Sequence, residues 1–134
     1  MIVVDTNVIA YFWIPGVDTL RAEQLLRRAP EWSAPILWRS EFRSVLAGTL
    51  RRGRVDRDAA VRIAEAAEDQ LRGREFAVAS ERVLDAVAES RCSAYDCEFV
   101  ALARELGVDL VTTDRRILAD FPDVARSLAE VGRT

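Results

Sequence analysis

Apolar residues run unbroken through Met1-Ile2-Val3-Val4 and stop at Asp5. A short β-branched run without polar alternation predicts a strand buried on both faces of a parallel sheet. Val108 to Thr113 repeats the pattern and also ends in an acid, Asp114. Between these runs the period changes. Val8 to Trp13 reads as a short helix closed by the Pro15-Gly16 turn signal, and Thr19 to Arg28 as a second, with Thr19 as its cap and Pro30 as its stop. Trp32 to Ile36 is a weak strand. From Leu37 to Leu50, apolar residues at Trp38, Phe42, Val45 and Leu46 keep helical spacing, with Glu41 beside the stripe.

Asp56 is expected to cap a helix that carries Ala60, Ile63, Ala64, Ala67 and Leu71 and ends near Gly73. Glu75 to Ala79 is a candidate short strand, and Ser80 a cap for the helix holding Val83, Leu84, Val87 and Ala88. Ser93 opens the next helix, whose stripe is Tyr95, Phe99, Leu102 and Leu106 and whose stop is Gly107. Arg115 to Phe121 is a short helix capped by Asp114. The tail from Asp123 to Thr134 reads equally as an edge strand or a terminal helix. Strands alternating with helices define an α/β domain with a parallel sheet, and the 134 residues are expected to form one domain, 1–134.

Composition narrows the chemistry. Half the residues are hydrophobic and 31% are charged, the balance of a globular protein. No apolar run approaches the roughly 20 residues of a membrane helix, and a cytoplasmic protein is expected. Histidine is absent, which removes the usual general base and zinc ligand. Cys92 and Cys97, five residues apart, are expected to point in different directions from one helix and to be small core or surface thiols. All 19 basic residues are arginine, forks suited to bidentate phosphate contact, although a GC-rich genome gives the same bias. The net charge of −3 argues only weakly against a protein that coats nucleic acid nonspecifically and does not exclude a nuclease.

Four acids then form a pattern. Asp5 and Asp114 end the two apolar strands; Glu41 and Asp96 lie in the first turns of two amphipathic helices. In an open α/β sheet, ligands sit beyond the carboxyl ends of the strands, so neighbouring strands would gather all four. Clustered carboxylates repel one another unless a cation offsets them. Oxygen ligands without histidine or thiolate select Mg²⁺ or Mn²⁺. Singly, each acid has a structural reading as a turn residue, a helix cap or a partner for Arg39 or Arg43.

The segments Val3-Val4-Asp5-Thr6-Asn7-Val8, Arg39-Ser40-Glu41-Phe42, Ala94-Tyr95-Asp96-Cys97-Glu98-Phe99-Val100-Ala101-Leu102-Ala103 and Leu110-Val111-Thr112-Thr113-Asp114 together resemble the PIN-domain ribonuclease family. In length and spacing the chain is most similar to the VapC-type toxins of bacterial toxin–antitoxin pairs. The resemblance implies a three-layer α/β/α domain around a mostly parallel sheet of four to five strands. It implies a metal-dependent endoribonuclease in which Asp5 and Asp96 are direct metal ligands and Glu41 and Asp114 complete the catalytic cluster. Asn7 and Thr112 match accessory polar positions, with Asn7 holding Asp5 or a metal-bound water. A cognate antitoxin and a homodimer are the implied partners.

Arg115 and Arg116, directly after Asp114, are the candidate RNA contacts. Arg51, Arg52, Arg54 and Arg57 form a second cluster, equally suited to RNA or to a solvated helix end. The rings Tyr11, Phe12, Trp13, Trp32 and Trp38 crowd the first third of the chain; most are expected in the core, and so many large rings in short elements also hint at an exposed apolar patch and hence a partner. The alternatives are a PIN-type RNA-processing nuclease that is not a toxin, and a catalytically silent RNA- or partner-binding module whose acids serve only as caps.

Overall fold

Val3 and Val4 have no exposed surface, and neither does Leu110 on the second apolar run. Their burial on both faces places them at the centre of a sheet. In the computed structural model, which describes residues 1–131, β1 (Ile2–Val4), β2 (Trp32–Pro35), β3 (Glu75–Phe76), β4 (Leu110–Thr112) and β5 (Ala125–Ser127) form that sheet. The order is β3-β2-β1-β4-β5 and every pairing is parallel. The fold is a three-layer α/β/α arrangement. The chain leaves β1 toward β2 and β3, then returns to the other side of β1 for β4 and β5. That reversal opens a crevice between the carboxyl ends of β1 and β4, where such sheets bind ligands.

The connections are α1 (Thr6–Trp13), α2 (Thr19–Arg28), α3 (Trp38–Arg51), α4 (Arg57–Gln70), α5 (Ser80–Ala88), α6 (Ala94–Leu106), α7 (Arg115–Asp120) and α8 (Leu128–Val131). The tail contains both of the elements it suggested, β5 and then α8; residues 132–134 lie outside the described residues. Asp56, Ser93 and Asp114 cap as expected, accepting from Ala59, Asp96 and Ile117. Thr19 and Ser80 do not: each is the first helical residue, preceded by Asp18 and Ala79 at the cap positions. The Thr19 hydroxyl instead accepts from the Gly16 amide and donates to the Tyr11 carbonyl, tying the Pro15-Gly16 turn to α1.

α6 is buried more widely than its stripe suggested, with Cys97, Phe99, Val100, Ala101, Leu102 and Ala103 all inside. Tyr95 is the exception, 63% exposed. The helix packs against β1, β2 and β4 and carries α5 on its other side, so neighbours surround it. Gly107 ends it in the left-handed conformation, φ 67°, that glycine adopts without a Cβ clash. Both cysteines are free and buried, as expected of small core thiols, but they do not share one helix. Cys92 precedes the Ser93 cap and Cys97 is the fourth helical residue, positions that pack together across a helix start; the Cys97 thiol lies 4.0 Å from the Cys92 carbonyl oxygen.

Of the five crowded rings, Trp32 and Trp38 are fully buried in the core, while Tyr11, Phe12 and Trp13 are partly buried and pack against it, with Phe12 meeting Trp13 and Trp32 edge to face. Trp38 and Arg39 lead the start of α3 to β3. The Trp38 indole donates to Glu75 at 2.7 Å, and the Arg39 guanidinium grips the same carboxylate at 2.6 and 2.7 Å. The Arg39 hydrogen bonds hold the Glu75 carboxyl below its ordinary value. A lowered acid stabilises the fold above its unfolded pKa and stops doing so as pH falls through the folded one. Arg39→Ala is therefore expected to cost about 2 kcal/mol at neutral pH. Urea unfolding at neutral pH and again below the ordinary glutamate value of 4.5 should show that difference narrowing.

Candidate active site

Parallel pairing of Val4 with Val111 sets the register that brings Asp5 beside Thr112, one residue further along each strand. The Thr112 hydroxyl donates to Asp5 Oδ2, and the Asn7 amide donates to Asp5 Oδ1 at 2.7 Å. Asp5 is thus the N-cap of α1 and at the same time a carboxylate clamped from the neighbouring strand. Thr112 Oγ1 also accepts from the Asp114 amide at 3.0 Å, so one hydroxyl links the two strand-end acids. Asp114 spends Oδ1 on the Ile117 amide, 2.9 Å away, at the start of α7.

Glu41 arrives from α3 and accepts from the Thr6 hydroxyl at 2.7 Å. It does not pair with Arg39, which is engaged with Glu75, nor with Arg43, which lies 3.9 Å from Glu68. Asp96 sits in the first turn of α6, where Ser93 rather than Asp96 is the cap. All four acids line one cleft of about 500 Å³, together with Thr6, Asn7, Ser44, Gly48 and Arg52. Among the described residues none of the four forms an ion pair.

The electrostatics follow from that crowding. Burial pushes Asp5 up to about 6 from an ordinary 3.8, against the lowering pull of Thr112 and the backbone amides, and Asp114 adds repulsion. Burial also raises Glu41, with Asp96 and Glu98 pushing further, and raises Asp96, with Asp114 pushing further. The repulsions thus run as a chain through all four acids. Such a site is unfavourable by itself and favours a cation. Among the described residues no three carboxylates are drawn together to enclose an ion unaided. The all-oxygen donor set still fits Mg²⁺ or Mn²⁺, which are typically held by one or two carboxylates and complete their shell with water and substrate oxygens.

Asn7 faces the cleft with an exposed side chain, and it is its backbone amide that holds Asp5. Arg116 is close enough for its charge to oppose the rise of Asp96, and it reaches the Arg91 carbonyl at 3.5 Å. Arg115 is exposed and lies outside the cleft lining. The sequence reading did not single out Thr6, Ser44 or Gly48. Thr6 stands between two motif residues, but its contact with Glu41 spans 35 positions and no local pattern reveals it. Gly48, an isolated glycine inside an amphipathic helix, was the available signal.

Fold and site together define an α/β domain with an unpaired carboxylate cleft at the topological switch point of a parallel sheet. Residues 2–126 match the PIN domain family, and the chain belongs to it. Over 124 residues it is 29% identical to Ribonuclease VapC3 of Pyrobaculum aerophilum, covering 90% of this chain and 95% of that one. Its fold is shared with the crystal structure of PAE2754 from Pyrobaculum aerophilum, at a TM-score of 0.74 and 21% identity, covering 97% and 92% of the two chains. A toxin–antitoxin complex from Klebsiella pneumoniae also shares it, at a TM-score of 0.65 and 18% identity over 94% and 97%. No helix among the described residues is long and apolar enough to cross a membrane.

Proposed function

We propose that the chain is a metal-dependent endoribonuclease that hydrolyses RNA phosphodiester bonds, and that it is the toxin of a toxin–antitoxin pair. The observation that carries the reading is the convergence of Asp5, Glu41, Asp96 and Asp114 on one cleft with no ion-pair partner for any of them. Asp5 and Asp96 would hold Mg²⁺ or Mn²⁺, with Glu41 and Asp114 completing the set directly or through water. When bound, such an ion lowers the pKa of a water and offsets charge on the phosphate.

The chain's own part is positioning. Thr112 and the Asn7 amide fix the Asp5 carboxylate, Thr6 fixes Glu41, and the α7 cap fixes Asp114. Arg116 and, beyond it, Arg115 supply guanidinium forks for RNA phosphate at the rim. RNA as substrate is supported by the name of the VapC3 relative; an antitoxin partner by the complex from Klebsiella pneumoniae. The chain then acts in the cytoplasm, as a homodimer held in check by that antitoxin.

Incubating the purified chain with a mixed cellular RNA pool, in Mg²⁺ or Mn²⁺ and in EDTA, tests this. Cleavage confined to the metal-containing samples is expected. Equal cleavage in EDTA would contradict metal dependence. RNA binding without cleavage in any metal would instead favour a silent binding module.

A further inference from the structure

Next to the acidic cleft, and sharing Asn7, Val45 and Arg52 with it, lies a second cleft of about 380 Å³. Its walls are largely apolar, from Ala10, Ile14 and Pro15 on the α1 side, and Tyr11 is part of its lining. The Tyr11 hydroxyl lies 3.3 Å from Thr113 Oγ1, which fixes the ring. Arg52 and Arg54 bring the only charges in its lining. Among the described residues neither forms an ion pair, whereas nearby Arg57 is held by Asp58 and Arg43 lies against Glu68.

Arg52 reaches the boundary between the clefts by a specific device. It caps the C-terminal end of α3, and its side chain folds back along the helix, as long helical side chains do, over Gly48. A Cβ placed on Gly48 would lie 3.1 Å from Arg52 Nη1, tighter than an ordinary contact. Glycine in a helix interior is unfavourable relative to alanine, and here it leaves room for the guanidinium to lie close against the helix, where a Cβ would push it back by a few tenths of an ångström.

Resting on the nuclease reading above, we propose that this second cleft is the subsite for one unstacked nucleotide of single-stranded RNA beside the bond to be cut. The base lies against Tyr11 and the apolar wall, and Arg52 and Arg54 hold the adjoining phosphates. An apolar slot with one aromatic ring and a pair of free guanidinium forks matches the chemistry of a splayed nucleotide, and stacking on such rings is how proteins read unpaired RNA. A duplex keeps its bases stacked inside and cannot fill the slot. Two cations at the margin also offset the field of the four acids, which otherwise repels the RNA backbone.

Binding of a short fluorescein-labelled single-stranded RNA of mixed sequence, measured by anisotropy in EDTA so that nothing is cut, tests the proposal on the full chain. The single strand is expected to bind about tenfold or more tightly than a duplex of the same sequence. The double variant Arg52→Gln/Arg54→Gln should lose about tenfold, with the salt slope falling by about 0.7 for each phosphate contact removed. Gly48→Ala displaces Arg52 without touching its charge. It should weaken binding while holding or raising the Tm, so that misfolding is not the cause. Equal affinity of the double variant and the parent, or equal binding of duplex and single strand, would overturn the proposal. Because no cleavage is read, a chain that never cuts RNA still tests the subsite, and a chain that cuts but ignores these arginines refutes the subsite alone.

Discussion

Asp5→Asn is expected to lower RNA cleavage by at least about a hundredfold while making the metal-free protein more stable, a pairing that a purely structural acid would not give. Asparagine keeps an acceptor for the Asn7 amide and an amide group that can donate to Thr112 Oγ1, so the cap and the strand link survive. What it removes is a buried charge. The Asp5 carboxyl is pushed from 3.8 to about 6, so the folded state holds its proton more tightly than the unfolded state. Between those two values the parent loses stability as pH rises, and above the higher one the whole penalty, about 3 kcal/mol, is in force. The variant carries no such penalty. Chemical denaturation in EDTA should therefore find it more stable than the parent at pH 8, with the gap closing as pH falls below 6 toward 4. A variant less stable than the parent at every pH would place Asp5 among ordinary caps.

Thr112→Val should give the second largest effect, and through a different route. Valine keeps the volume and β-branching that suit a buried strand but removes the hydroxyl that donates to Asp5 and accepts from the Asp114 amide at 3.0 Å. Buried Asp5 and the half-buried Asp114 amide are left short, at a cost of about 2 kcal/mol. The Thr112 hydrogen bond also holds the Asp5 carboxyl down against burial, so its loss pushes that group further up. Less of the reactive carboxylate then exists at neutral pH. Cleavage should fall about tenfold at pH 7, and the acid limb of the pH–rate profile should move to higher pH. An unshifted profile with a lower plateau would assign Thr112 a purely structural role.

The parts legible in the sequence were those set by short periods. Two unbroken apolar runs ending in Asp5 and Asp114 gave the two central strands and the edge where chemistry collects, and β1 and β4 are indeed neighbours. Three caps were readable because a side chain and an amide three residues on suffice to make them. Thr19 and Ser80 failed where the preceding residue took the cap position. The partners of Glu41 were not readable. Arg39 and Arg43 are equally near in sequence, but α3 sends Arg39 to Glu75 on β3 and Arg43 toward Glu68, and leaves Glu41 for Thr6.

Cys92 and Cys97 are free, buried thiols as expected, and only the shared helix failed, since Cys92 precedes it. Of the crowded aromatic rings, β2 and the start of α3 turn Trp32 and Trp38 fully into the core, as expected, while Tyr11, Phe12 and Trp13 on α1 are only partly buried. Of the arginine cluster after α3, sequence could not say which members face the clefts. That depends on Arg52 doubling back over Gly48.

The most direct test of the central claim, that these acids form a divalent-cation site, is calorimetric titration of Mn²⁺ into the metal-free chain at several pH values, alongside Asp96→Asn. Binding to the parent should release about half a proton near pH 6, because Asp5 must give up its proton to the ion, and almost none at pH 8. Asp96→Asn should bind far more weakly. Mn²⁺ binding that is unchanged by Asp96→Asn and releases no proton at any pH would contradict the account.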